Sequence, residues 1–164
     1  MRVMGVDCGS QYTGFAVVEQ QDGELSCVAM GVVRLASGDP LEVRLLHIFQ
    51  QLSELISAHH PEVVAIEDVF HAVNAKSALR LGHVRGVAML AAAQAGLPVV
   101  AYAPLSVKSA VVGYGRAEKS QVQMMVTRLL KLEAVPEPAD VADALAIAIC
   151  HLHTAATLAR QGGG

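Results

Sequence analysis

A chain of 164 residues, 53% of them apolar, can build one sizeable core but not two ordinary domains, and it is too apolar for a disordered chain. Its three cysteines, Cys8, Cys27 and Cys150, are scattered, odd in number and outside any Cys-x-x-Cys spacing. That fits free thiols in a reducing cytoplasm better than a disulfide framework or a zinc site. A net charge of −3 excludes a uniformly basic polyanion binder, but the charge is unevenly spread. Between Asn74 and Lys131 stand eight basic residues and one acid, Glu118, whereas the rest of the chain holds four basic and fourteen acidic residues. Such asymmetry predicts one electropositive surface facing a polyanion.

In chain order, residues 2–7 form a short apolar run ending in Asp7, Gly9-Ser10 a turn, and 13–19 a second run. Gln21-Asp22-Gly23 marks another turn before a third strand at 25–35, so the opening reads as an antiparallel meander. From Pro40 the period changes. Leu41, Leu45, Ile48, Leu52 and Leu55 make one stripe of an amphipathic helix, capped by Asp39, with Pro40 at its first position and Pro61 closing it. Val63-Val64-Ala65-Ile66-Glu67 is a buried-type strand, and 74–95 a helix stopped by Gly96 and Pro98. A fifth strand at 98–102, a short helix at 104–112, a glycine-flanked loop at 113–115 and helices at 118–132 and 138–160 complete the pattern. The expected architecture is α/β: a mixed five-stranded sheet, an antiparallel three-strand meander plus parallel strands, with helices on both faces. One domain spans 1–160, and the glycine tail at 161–164 is expected to be disordered. No run of about 18 apolar residues is found, so no membrane span is expected, and Asp7 comes too early for a secretory leader.

The acids carry the chemistry. Asp7 and Glu67 each close an apolar strand; if those strands are parallel neighbours, both carboxylates leave the sheet at one edge, where α/β sites form. Asp140 and Asp143, three apart near the start of the last helix, share a face. Four carboxylates gathered together repel and raise one another's pKa, and hard divalent cations with oxygen-only ligands relieve that conflict. Two such ions suit phosphodiester hydrolysis. The histidines offer no comparable set, because His151 and His153, two apart on a helix, do not share a face.

Five blocks of sequence, Gly5-Val6-Asp7-Cys8-Gly9-Ser10, Ala65-Ile66-Glu67-Asp68-Val69-Phe70, Asn74-Ala75-Lys76-Ser77-Ala78-Leu79, residues 113–122 (GYGRAEKSQV) and Asp140-Val141-Ala142-Asp143-Ala144-Leu145-Ala146, resemble the RuvC family of Holliday-junction resolvases in order and spacing. The resemblance runs from Met1 to about His153. It implies a ribonuclease-H-like fold and a homodimer that resolves four-way DNA junctions by paired symmetric nicks, in recombination and repair, with RuvA and RuvB as partners. It also implies two Mg2+ ions per subunit, with Mn2+ able to substitute, held by Asp7, Glu67, Asp140 and Asp143 as the catalytic acids. By position, Phe70 matches an aromatic that stacks on bases near the junction centre. Lys108 and Lys119 match basic residues near the DNA backbone, and Lys76, Arg80 and Arg116 extend that DNA-binding set.

The chain departs from the family pattern at Cys8 (commonly proline), Gln11 (commonly arginine) and Asp68 (commonly glutamine), and it lacks a basic C-terminal extension. These departures keep open a non-catalytic junction binder of the same fold, or a related nuclease with another substrate. A sugar-kinase-like phosphotransferase could use Asp7-x-Gly9-Ser10-x-x-Thr13-Gly14 as a phosphate turn, but it would leave Glu67, Asp140 and Asp143 without a role. Ala78, Gly82 and Gly86, four apart with Val87, Leu90 and Ala91 nearby, form a smooth helix face suited to close approach, within a subunit or across a two-fold axis.

Overall fold

The computed structural model describes residues 1–9, 11–36, 38–68 and 74–161. Five strands, β1 (Arg2–Asp7), β2 (Tyr12–Gln21), β3 (Glu24–Arg34), β4 (Val63–Glu67) and β5 (Val99–Tyr102), form one sheet in the order β3-β2-β1-β4-β5. The first three are the antiparallel meander; β1 pairs parallel with β4, and β4 parallel with β5. Strand β1 is central, and Val3, Met4 and Val6 are all buried, as a strand covered on both faces requires.

Helices α1 (Leu41–His59) and α2 (Ala75–Gln94) cover one face, closing a core around Met4, Val17, Ile48, Leu52 and Ile66. Helices α3 (Pro104–Val112), α4 (Lys119–Leu129) and α5 (Ala139–Gln161) cover the other, around Val3, Ala16, Val126, Leu145 and Ile149.

Several expectations are corrected in detail. Pro40 itself is the N-cap of α1, with no side-chain cap hydrogen bond, so Asp39 does not serve. The buried stripe of that helix is Ile48, Leu52 and Ile56, while Leu41, at its first position, is exposed. Helix α4 stops at Leu129, where the chain turns through Lys131 with a positive φ of 53°. Helix α5 runs through Gln161, one residue past its expected end; residues 162–164 lie outside the described residues.

One helix, α5, is long and apolar enough over Ala139–Ala159 to cross a bilayer by length and composition, but this alone is weak evidence of a span. Its apolarity has a different cause. Ala144, Leu145, Ala148, Ile149 and Leu152 are buried against the sheet, as in the central helix of a two-layer core.

Candidate nuclease site

The parallel register Val6↔Ile66 puts Asp7 and Glu67 side by side where β1 and β4 end. Helix α5 brings Asp140 and Asp143 to the same edge, and glycines permit the approach. A Cβ on Gly14, the residue paired with Asp7 across β1 and β2, would fall on the Asp140 carbonyl oxygen. A Cβ on Gly5 would fall on the Ala144 carbonyl oxygen one turn further along. The first turns of α5 therefore lie directly on the backbone of β1 and β2, closer than any side chain allows.

The acids also feel one another electrostatically. Burial pushes the Asp7 carboxyl up to about 7, helped in turn by the charges of Asp143, Glu67 and Asp140 and opposed by Lys119. Glu67 is also raised, by burial and then by Asp143, against the pull of Lys119 and Lys108. Lys119 Nζ donates to Asp143 Oδ2 at 2.9 Å, and this bond raises the lysine pKa. Lys119 projects from the first position of α4, whose start is tied down by Gln121: its Oε1 accepts from the Glu118 backbone N–H and from the Tyr114 hydroxyl, each at 2.9 Å.

A cleft of about 220 Å³ opens here, lined by Glu67, Asp143, Lys108 and Lys119 with apolar walls from Val107 and Val122. Acids and cations thus face one space large enough for a phosphodiester group. A larger groove of about 410 Å³ lies at the far ends of α1 and α2, beside His60 and Gln94, without a carboxylate or a cation-bearing lysine or arginine.

Among the other anticipated residues, Arg116 is exposed on the loop between α3 and α4, whereas Lys76 and Arg80 are exposed on α2, outside the cleft. Phe70 lies outside the described residues. Among the described residues, no three His, Cys, Asp or Glu side chains stand close enough together to grip a metal ion. Asp143 is instead held by Lys119, so the carboxylates share an electrostatic field without forming a closed cage.

His151 and His153 serve different neighbours: His151 Nδ1 shares a 2.8 Å hydrogen bond with the Tyr102 hydroxyl, and His153 Nδ1 lies 2.9 Å from the Ala110 carbonyl oxygen. Sequence reasoning missed the seating glycines and the Arg85–Asp68 ion pair at 2.8 Å. An isolated glycine inside a strand, as at Gly5, is the signal that marks a close backbone approach. The ion pair left no local signal, since its members lie 17 residues apart.

A mixed sheet whose adjacent parallel strands end in acids, with a helix supplying two more, defines a ribonuclease-H-like nuclease. The family model for the crossover junction endodeoxyribonuclease RuvC matches residues 3–151. The chain is 70% identical over 162 residues to the crossover junction endodeoxyribonuclease RuvC of Koribacter versatilis, covering 98% of both chains. It is 55% identical to that of Acidobacterium capsulatum, again covering 98% of both. The structure of Thermus thermophilus RuvC in complex with Holliday junction substrate superposes with a TM-score of 0.92 at 35% identity, over 96% of each chain. The chain belongs to the RuvC family of crossover junction endodeoxyribonucleases.

Proposed function

We propose that the protein resolves four-way DNA junctions in recombination and repair, as a homodimer making paired symmetric nicks with Asp7, Glu67, Asp140 and Asp143 as its catalytic acids. The observation that carries this reading is the convergence of the four acids on one edge, beside a cleft shared with Lys108 and Lys119. The junction-bound relative of the same fold supports the choice of substrate.

The donor set fits hard divalent cations. It is all oxygen, and burial, with the neighbouring carboxylates adding to it, raises Asp7 to about 7 in the absence of added positive charge. When bound, two Mg2+ ions, with Mn2+ able to substitute, would supply Lewis acidity for the attacking water and the leaving oxygen. Asp7 and Glu67 present carboxylate oxygens from the rigid sheet edge, and Asp140 and Asp143 from α5. Lys119 holds Asp143 through a bond exposed enough to yield to a phosphate: the lysine side chain is 70% accessible. Lys108 and Lys119 position the phosphodiester in the cleft, and Lys76, Arg80 and Arg116 extend the basic surface along the backbone, with Phe70 as the base-stacking residue.

The test is cleavage of a synthetic four-way junction and of linear duplex, with magnesium, with manganese and with chelator. Paired nicks in opposite strands of the junction alone, dependent on metal, are expected. Tight junction binding without cutting would make the protein a non-catalytic binder, and equal cutting of duplex would make it a nuclease of other specificity.

Lys119→Ala is expected to weaken junction binding and to flatten the plot of log affinity against log salt by about 0.9, one phosphate's share of counterion release. A slope equal to wild type would take Lys119 off the DNA surface.

The dimer reading is supported by α2. Ala78, Gly82 and Gly86 are exposed, open space surrounds both glycine positions, and Leu79 and Leu90 beside them are 63% and 58% accessible. Such an exposed apolar face suits association across a two-fold axis. Sedimentation equilibrium should give twice the 17.2 kDa chain mass, and Gly86→Arg should return the monomer; a concentration-independent monomer mass in the unaltered protein would remove the dimer. RuvA and RuvB as partners, and a cytoplasmic location, belong to the same reading.

A further inference from the structure

We propose that Asp68 holds Arg85 back from the DNA backbone, so that this ion pair limits how tightly the acid edge grips a phosphate. The inference rests on the reading that junction DNA occupies that edge.

Asp68 directly follows Glu67, and its backbone N–H donates to the Tyr102 carbonyl at 2.8 Å, which continues the β4–β5 pairing and fixes where its carboxylate stands. Arg85 reaches it from α2, with Nη2 donating to Oδ1 at 2.8 Å. The same guanidinium is near enough to Cys8, the residue after Asp7, to lower its thiol pKa against the stronger effect of burial. The positive charge of Arg85 therefore stands at Asp68, one residue beyond the end of β4.

The contact uses little of what an arginine offers. A guanidinium presents five donors in a planar fork suited to carboxylate or phosphate. Here a single Nη2 bond engages one carboxylate oxygen, and Nε is buried with no partner among the described residues. Arg85 and Asp68 are part-buried, 27% and 35% accessible, so the pair is held by the fold while a phosphate can still reach its open side. A phosphate arriving at this edge meets the Asp68 carboxylate as a competitor for the fork and as a like charge beside Glu67. Removing that one negative charge frees the guanidinium for the backbone without altering the four acids.

Four proteins decide the matter: wild type, Asp68→Asn, Arg85→Gln and the double variant, with Asp68→Gln as a second neutral replacement. Junction binding is measured in chelator, so that nothing is cut, from low to moderate salt. Asp68→Asn and Asp68→Gln are expected to bind about tenfold tighter at low salt, the scale of one added charge-assisted hydrogen bond. Their salt dependence should be steeper by about 0.9, one additional phosphate contact. Arg85→Gln and the double variant should keep the wild-type slope. Damage to the fold weakens binding, so it cannot produce the expected sign. Wild-type slopes in both neutral variants would overturn the inference, and so would an equal gain in the Arg85→Gln background, which would trace the effect to lost charge alone. A wild-type protein that does not bind the junction would overturn the proposed function itself, and this inference with it.

Discussion

Gly14→Ala is expected to leave the sheet folded and to cut junction cleavage about a hundredfold. Gly14 pairs with Asp7 across β1 and β2, and an added Cβ there would meet the Asp140 carbonyl oxygen, with the Asp140 carbonyl carbon and Cβ also inside contact distance. The obstacle is backbone at the start of a helix, so the first turn of α5 must lift, and Asp140 and Asp143 lift with it. Overpacking of this kind costs about 1–3 kcal/mol, which a domain of this size tolerates, whereas a misplacement of about 1 Å in a catalytic group costs about 10²-fold in rate. Junction binding in chelator is the control, because Lys108 on α3 and Lys119 on α4 stand on other elements. Circular dichroism and cleavage rates should therefore separate: spectrum retained, activity lost. Full activity with an intact fold would show that α5 need not lie on Gly14 for the acids to work.

Asp7→Asn is expected to move activity and stability in opposite directions. Cleavage should disappear, since the asparagine keeps the shape but cannot contribute the charge the site needs, and junction binding should persist. Stability in chelator should rise. The folded-state pKa of Asp7 is about 7, above the carboxyl's ordinary 3.8, so between these values the folded protein holds a proton that the unfolded chain has released. Stability from this group is complete below pH 4 and is lost as the pH rises through 7. At about 1.4 kcal/mol per unit, the ionised Asp7 costs the metal-free fold at most about 4 kcal/mol at pH 8. The asparagine variant should melt several degrees higher there, with little difference at pH 4. Its residual decline with pH comes from Glu67, which is raised in the same direction. A wild-type melting temperature that is flat from pH 4 to 8 in chelator would contradict the raised Asp7 carboxyl, and retained cleavage would remove Asp7 from the catalytic set.

Much of this was legible in the residues. The strand ends at Asp7 and Glu67 and the helix at Pro104–Val112 fall where composition and turn chemistry placed them, because apolar runs bounded by glycine and proline leave few alternatives. Helix ends were less legible. Asp39 looked like a cap, but Pro40 occupies that position, and the last helix runs one residue further than expected. Such boundaries depend on local hydrogen bonds that periodicity does not encode.

The sequence by itself determined the order of elements, the placing of Asp7 and Glu67 at strand ends and the concentration of basic residues in the middle of the chain, since each depends on residue type and near-neighbour spacing. Only the tertiary structure decided that β1 lies beside β4, that glycines let α5 settle onto the sheet, and that Lys119 holds Asp143 from another helix. It alone set Arg85 against Asp68. The physical reason is range. Side-chain period and capping act over a few residues, whereas the charges acting on Asp7 stand 60 to 136 positions away in the chain, brought together by burying both faces of one sheet.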